Sequence, residues 1–445
     1  MIAEISPNGL FGRINAPFSK SDAHRVLIAS ALCNEPTIIT LSCESDDISA
    51  TVRCLEALGA KLIPLGGNSV TGGNYRMEPI TKKSTFSHHT LDCGESGTTL
   101  RFLLPIAAAL GVSCNFTAQG RLPERPLDDL IAALSDNGCR FSSDHLPITL
   151  QGQLKPGNYR IPGNISSQYI SGLLYALALP EAESRITLTT RLESASYVEM
   201  TQQTLKGFGI SSFRTDNGFA IDGGQQFCSP GSAVVEGDWS NATFFLAAGA
   251  LSADCKLSSS AVLKKSITVS GLTVRSLQGD KAICELLQNF GAEVTMSDNG
   301  DVSVSAGELH AIDIDVSGVP DLFPVLAVVA ASASGTTRLY NAARLRMKES
   351  DRIHSVAAML GALGADVREL PDELIINGKT NLTGGIVNGE NDHRIVMAAA
   401  TASVICKNPV TILGIEAINK SYPGFFKDFK TLGGNANVIS NGQTN

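Results

Sequence analysis

Aromatic residues are scarce in this chain. Only 6% of its 445 residues are Phe, Tyr or Trp, with a single Trp. Yet 43% are hydrophobic and only 18% charged, so a large core is available and Ala, Val, Leu and Ile must fill it. Basic charge is short as well. Against 43 Asp and Glu stand 35 Lys and Arg, a net charge of −8, which argues against a nucleic-acid footprint. No block of five or more like charges occurs, so no disordered charged tail is expected. The Ala-rich runs fall short of the roughly 18 apolar residues a membrane span needs. The opening MIAEISPNGLFGRI lacks the basic start and apolar centre of a signal peptide. Ten cysteines (Cys33, Cys43, Cys54, Cys93, Cys114, Cys139, Cys228, Cys255, Cys284 and Cys406) form no CxxC pair, which suits reduced thiols in a cytoplasmic protein. The seven His form no HExxH, so no metal site is expected. A P-loop GxxxxGK[ST] is absent, which leaves nucleotide binding without support. Neither a Ser-His-Asp arrangement nor a nucleophile elbow is legible.

What is present is repetition. Six times a short polar cluster opens into an Ala/Leu-rich run: SKSDAHRVLIASAL from Ser19, SGTTLRFLLPIAAAL from Ser96, SSQYISGLLYALAL from Ser166, SNATFFLAAGAL from Ser240, PDLFPVLAVVAASA from Pro320 and NDHRIVMAAATASV from Asn391. The spacing is roughly 70–80 residues, and such a period decides architecture before any single motif does. Each copy reads as a helix start. Every unit also holds an amphipathic helix that ends in Gly, at Gly59, Gly138, Gly209, Gly291, Gly364 and Gly433. Gly just past a helix takes the left-handed cap. β-Branched stretches such as Thr37–Leu41 and Arg185–Thr190 read as strands. The unit is therefore strand, helix, strand, helix, strand, strand, and 445 residues suggest two or more domains.

Cations sit where helices begin. Lys20 and Arg25 open the first repeat helix, Arg101 the second and Arg394 the last, while Lys348 and Arg352 open another in RLRMKESDRIHSV. A cation there opposes the helix dipole by about 0.3–1 kcal/mol, which an anion bound at the free N–H groups would offset. Any one such Arg reads equally well as an ion pair or a solvated side chain; recurrence across the repeat favours anion sites. Ser19, Ser96, Ser166 and Ser240 read as N-caps, but the doubled polar residues Ser96-Gly97-Thr98-Thr99 and Ser166-Ser167-Gln168 exceed what one cap needs. Gly97 would admit a ligand close to the backbone. The copy at Ser240 carries no base and reads as purely structural. With Asp321 and Glu349 nearby in sequence to these cations, the pattern suits a small substrate bearing phosphate and carboxylate, and acid–base chemistry.

Taken together, SKSDAHR, CGESGTTLRF, GRLPERPLDDL, ISSQYISGLL, KESDRIHSVAAML, NDHRIVMA and NKSYPGFF resemble, in order and over the whole chain, the signature segments of the 5-enolpyruvylshikimate-3-phosphate synthase family. The resemblance implies an α/β fold of two similar domains, each of three βαβαββ units with buried helices, an inside-out α/β barrel. It implies domains at residues 19–238 and at 1–18 plus 239–445, with the substrates held in the cleft between them. It implies transfer of the enolpyruvyl group of phosphoenolpyruvate to shikimate 3-phosphate by a monomer, with no cofactor, metal, nucleic acid or membrane. By motif match, shikimate 3-phosphate would meet Lys20, Ser21, Arg25, Ser166, Ser167, Gln168, Ser194, Tyr197, Asp321 and Lys348. Phosphoenolpyruvate would meet Lys20, Gly97, Arg125, Gln168, Arg352, Arg394 and Lys420. Asp321 would act on the 5-hydroxyl proton, and Lys20 and Glu349 on the methyl carbon.

Two positions depart from the family pattern: Glu95 and Arg344 stand where members often carry Asn. A carboxylate at Glu95 would repel a substrate phosphate or pair with a neighbouring Arg. The related transferase acting on UDP-N-acetylglucosamine is an alternative, but its loop Cys has no counterpart in TAQGRLPERPLDDL and its Lys-Asn pair is replaced by Lys20-Ser21. A non-catalytic anion-binding repeat module is the other; it would let the catalytic positions erode, yet Lys20, Asp321, Glu349 and Lys420 all keep useful chemistry.

Overall fold

The computed structural model describes residues 1–42, 44–66, 72–80, 89–252, 255–258, 261–263, 265–379, 381–440 and 443–444. The chain divides into two compact units, Phe18–Val235 and a two-segment unit of Met1–Pro17 with Glu236–Asn445.

Among the described residues, the Phe18–Val235 unit holds three four-stranded sheets with one connectivity. In the second, His89–Asp92 lies parallel to Cys114–Thr117, which pairs antiparallel with Ile148–Gly152, which pairs antiparallel with Cys139–Phe141. Asn158–Ile161, Ser184–Leu188, Gly218–Ile221 and Ser212–Thr215 repeat that order. The remaining sheet takes its parallel first strand, Ser232–Val234, from the far end of the unit and sets it beside Thr37–Leu41. Among the described residues, six α-helices alternate with these strands: α1 (Lys20–Ala31), α2 (Asp46–Ala57), α3 (Gly97–Leu110), α4 (Asp128–Ser135), α5 (Ser167–Ala176) and α6 (Ala195–Gly207).

The two-segment unit repeats the plan with α7 (Trp239–Leu251), α8 (Ile283–Phe290), α9 (Phe323–Ala330), α10 (Arg352–Ala362), α11 (His393–Ala402) and α12 (Phe425–Thr431). The N-terminal segment completes it from two directions. Gly12–Asn15 is the parallel first strand beside Ser266–Ser270, and Ile2–Ser6 inserts between Val410–Leu413 and Asn435–Ser440. A hairpin, Cys255–Ser258 with Ala261–Leu263, lies outside the repeat.

Helix burial follows composition. Every residue of α7, α9 and α11 is buried, as are 12 of the 14 in α3, whereas α2 buries five of 12 along one stripe. A helix apolar all round belongs inside, and an amphipathic one outside. Small side chains let the inner helices approach closely. A Cβ on Gly172 of α5 would collide with the Arg101 carbonyl of α3.

The helix ends largely follow the sequence. Ser19, Ser96 and Ser166 cap α1, α3 and α5, each Oγ accepting a backbone N–H at 3.2–3.3 Å, a bond worth about 1 kcal/mol. Gly59, Gly138, Gly209, Gly291, Gly364 and Gly433 all have positive φ, between 80° and 108°. Three starts differ. Asp238, not Ser240, caps α7, accepting from Asn241 N at 2.7 Å; Ser240 lies inside the helix and its hydroxyl donates to the Asp280 carboxylate. Lys348 precedes α10, whose cap is Asp351, and Pro320 opens a 3-10 turn before α9. In α7, as in α10 and α11 (capped by Asp392), a carboxylate takes the cap.

Eight cysteines are described as free thiols, with only Cys228 exposed; Cys43 and the side chain of Cys255 lie outside the described residues. Burial pushes the Cys33 and Cys114 thiols up to about 12, so they are inert packing groups.

Candidate active site

In the Phe18–Val235 unit the polar helix starts gather two clusters. Lys20, first residue of α1, places Nζ 2.7 Å from Asp47 Oδ2 in the first turn of α2. Both side chains are mostly withdrawn from water. One turn on, Arg25 is 3% exposed. Its Nε donates to Thr201 Oγ1 at 2.9 Å, Nη1 to the Ser21 carbonyl at 2.5 Å and Nη2 to the Tyr197 carbonyl at 2.8 Å. Its guanidinium also stacks over Phe102 at 5.3 Å. Arg25 thus draws Ser21 and Tyr197 together. Ser194, at the start of α6, has φ of 51°. A left-handed Ser costs on the order of 1 kcal/mol and is characteristic of sites where geometry matters more than stability.

The second cluster forms where α3 begins. A Cβ on Gly97 would stand 3.0 Å from Nη1 of both Arg101 and Arg125, so two guanidiniums lie over this helix start. Arg101 Nη1 donates to Gln168 Oε1 at 2.9 Å, and Gln168 Nε2 donates to Thr98 Oγ1 at 2.8 Å. Arg101 Nη2 is anchored on the Pro126 carbonyl at 3.0 Å. Gly97, Arg125 and Gln168 come together, while Ser166 and Ser167 share the first turn of α5 with Gln168. Two cations over a helix N-terminus make a positive potential suited to an anion. Glu95 folds away onto Gly120, where its carboxylate fills the space a Cβ would take.

In the two-segment unit Arg352 organises the charges. It is 1% exposed and touches three carboxylates: Asp392 through Nε at 2.8 Å, Asp321 through Nη1 at 2.8 Å and Glu349 through Nη2 at 2.6 Å. Asp321 also receives Arg394 Nη2 at 3.0 Å. Asp392 does three tasks, accepting from Arg352, from Ser350 Oγ at 3.1 Å and from Arg394 N at 3.0 Å. Burial would raise the Asp321 pKa, but Arg394, Lys348 and Arg352 outweigh it and hold this carboxyl well below the usual range. Lys348 is shifted the other way. Burial, with Arg344 and Arg352 adding repulsion, lowers it to about 8. Arg344 is turned onto the Ser317 carbonyl at 2.5 Å and acts on Lys348 by its charge. Lys420 Nζ donates to the Asn391 carbonyl at 2.6 Å, beside the start of α11.

The structure therefore places Lys20, Ser21, Arg25, Gly97, Arg125, Ser166, Ser167, Gln168, Ser194 and Tyr197 in one unit. Asp321, Lys348, Glu349, Arg352, Arg394 and Lys420 lie in the other. Lys20 and Arg352 are ion-paired at their helix starts, Lys20 with Asp47 and Arg352 with Asp321, Glu349 and Asp392. Sequence reading missed Asp47 and Asp392, and it left Arg101 without a role. The acidic residues in SDDIS and NDHR were the available signal, but which cation each meets depends on folding. Among the described residues no group of three or more His, Cys, Asp or Glu is arranged to hold a metal, and no helix is long and apolar enough to cross a membrane.

A family model described as EPSP synthase (3-phosphoshikimate 1-carboxyvinyltransferase) matches residues 6–429. The chain belongs to the EPSP synthase family. Its relatives include a 3-phosphoshikimate 1-carboxyvinyltransferase of Clostridium novyi (strain NT), 41% identical over 436 residues and 97% of each chain. The enzyme of that name from Brachyspira hyodysenteriae is 40% identical and covers 99% of this chain and 100% of its own. Among solved structures, an EPSP synthase from Acinetobacter baumannii superposes with a TM-score of 0.80 at 25% identity, over 98% of this chain and 100% of that one. The enolpyruvyl transferase NikO from Streptomyces tendae shares the fold, with a TM-score of 0.77 at 16% identity over 98% of each chain. None of these matches names the UDP-N-acetylglucosamine transferase.

Proposed function

We propose that this chain transfers the enolpyruvyl group of phosphoenolpyruvate to the 5-hydroxyl of shikimate 3-phosphate, releasing phosphate, and that it works in the cytoplasm as a monomer. The observation that carries this reading is the Asp321 array: an ionised carboxylate held between Arg352 and Arg394, within the field of Lys348 and beside Glu349. Such an array suits a reaction in which a hydroxyl proton is removed next to anionic groups.

The chemistry balances without an electron donor or acceptor. The 5-hydroxyl oxygen bonds to C2 of the enol, its proton goes to a base, and C3 gains a proton to become methyl. The tetrahedral ketal then loses phosphate from C2 and a proton from C3, restoring the double bond. Asp321 acts on the 5-hydroxyl proton. Lys20 and Glu349 serve the methyl carbon in the two steps. Ser21, Arg25, Ser166, Ser167, Ser194, Tyr197 and Lys348 hold shikimate 3-phosphate, and Gly97, Arg125, Gln168, Arg352, Arg394 and Lys420 hold phosphoenolpyruvate. Fixed cations stabilise charge on phosphate and carboxylate oxygens without reorganising. They also tune the base. Asp321 is a weak base while Arg394, Lys348 and Arg352 depress it. A bound anion that engages these cations withdraws part of their field and raises Asp321 toward useful basicity when the hydroxyl is in place.

The test is phosphate release by the purified protein. It should require both shikimate 3-phosphate and phosphoenolpyruvate. Binding of both without turnover would support the anion-binding module instead.

A further inference from the structure

His24 lies on α1, one turn beyond Lys20, and is 1% exposed. It heads a line of buried side chains. Its Nδ1 is 2.7 Å from Thr51 Oγ1 on α2, and Thr51 Oγ1 is 2.6 Å from Thr99 Oγ1 on α3. Thr99 Oγ1 donates to Ser96 Oγ at 2.7 Å, the same oxygen that accepts the Thr99 N–H at 3.2 Å and caps α3. Thr51 and Thr99 are fully buried and Ser96 is 1% exposed. None of the four is among the residues assigned to substrate above.

The direction of the protons follows by counting. A hydroxyl has one hydrogen. That of Thr99 goes to Ser96; the alternative acceptor, the Asp47 carbonyl, is at 3.5 Å. Thr99 must then accept from Thr51, and Thr51 must accept from His24 Nδ1. Nε2 is left as a bare lone pair, and among the described residues it meets no hydrogen-bonding partner. Burial, followed by the charges of Lys20 and Arg25, keeps the ring neutral.

We propose that His24 is a positioning residue: as the Nδ1–H tautomer it orders Thr51, Thr99 and Ser96 into one directed chain that holds Gly97, at the start of α3, in register with Lys20 on α1. The chain ties together three helices whose starts carry Lys20, its partner Asp47 and Gly97. Its bearing on catalysis rests on the reading of Lys20 and Gly97 as substrate groups.

Two measurements test it. In the intact, 15N-histidine-labelled protein, His24 should show a protonated Nδ1 and a bare Nε2 and should not titrate across the neutral range. A protonated Nε2, or a ring that charges near neutrality, overturns the ordering whether or not the protein is active. In steady-state assays, Thr51→Val should raise KM for phosphoenolpyruvate about 10-fold with kcat nearly unchanged, and Thr51→Ser should restore it. His24→Leu should match Thr51→Val. His24→Asn should not, because an Asn amide nitrogen reaches about where Nδ1 sits. Combining His24→Leu with Thr51→Val should cost no more than either alone, since a chain is broken once. If the wild type turns over both substrates while Thr51→Val and His24→Leu leave KM unchanged, or the double variant is additive, the proposal fails. A wild type that does not turn over would refute the assigned reaction instead, leaving the tautomer test intact.

Discussion

Replacing Arg352 with Met removes one cation from among three carboxylates. Asp392 is fully buried, Asp321 and Glu349 are each 20% exposed in their side chains, and all three lie 2.6–2.8 Å from the guanidinium. Breaking a buried pair from one side costs about 3–5 kcal/mol, because the charge left behind is neither solvated nor matched. Here the carboxylates keep other donors, among them Arg394 for Asp321, and Ser350 with the Arg394 N–H for Asp392. The loss should therefore sit near the lower end, about 3 kcal/mol. For a unit of this size that is a fall of roughly 6–12 °C in Tm. The sign with pH is distinctive. In the wild type Asp321 is held below its unfolded pKa, so its stabilising contribution is present above the usual carboxylate range and fades as pH falls through it. In Arg352→Met the depression of Asp321 is weakened, because Arg394 and Lys348 remain but one of the three cations opposing burial is gone. The gap between variant and wild type, measured by denaturant unfolding, should thus hold steady near neutrality and shrink as pH falls through the usual carboxylate range, below about pH 5. Arg346→Met is the control. Arg346 also binds two carboxylates, Asp351 and Glu369, but each partner is about one-third exposed, and the cost should be about 1 kcal/mol or less. Equal losses in the two variants, or an Arg352→Met gap independent of pH, would refute the reasoning.

Other outcomes follow from the same geometry. Lys20→Ala should abolish turnover while unfolding changes by about 1 kcal/mol or less, since the Lys20–Asp47 pair is not fully buried; a large stability loss with activity kept would contradict this. Gly97→Ala should leave Tm nearly unchanged but raise KM for phosphoenolpyruvate, because the new methyl stands 3.0 Å from two guanidiniums that must then shift. An unaltered KM would show that the face is not used. Lys348 carries its charge below about pH 8 and loses it above. Affinity for shikimate 3-phosphate should weaken as pH rises through and beyond that value, and Lys348→Arg should remove the dependence in titration calorimetry.

The helix starts show how far local sequence reaches. Ser96 was legible as the cap of α3 because the residue, the Gly after it and the apolar run beyond it all lie within a few positions. The glycines at helix ends were legible for the same reason, since only the local backbone decides them. Ser240 was misread by two positions. Its neighbour Asp238 is the stronger acceptor, and the hydroxyl is needed by Asp280, 40 residues away, a contact no local pattern encodes. Lys348 was placed on a helix because its segment reads as helical, yet Asp351 accepts the free N–H of His354 in the first turn and sets the boundary after Lys348.

By itself the sequence determined the repeat, the division of each unit into buried and surface helices, and the family. These rest on periodicity and on motifs that are contiguous in the chain. Only the tertiary structure decided which acid meets which base. Asp47 beside Lys20, Asp392 beneath Arg352, Gln168 against Arg101 and His24 at the head of a hydroxyl chain join residues 27 to 67 positions apart. Ionic and hydrogen-bonding partners are chosen by distance and direction in a dry interior, where each group must find its match, and the chain order does not contain those distances.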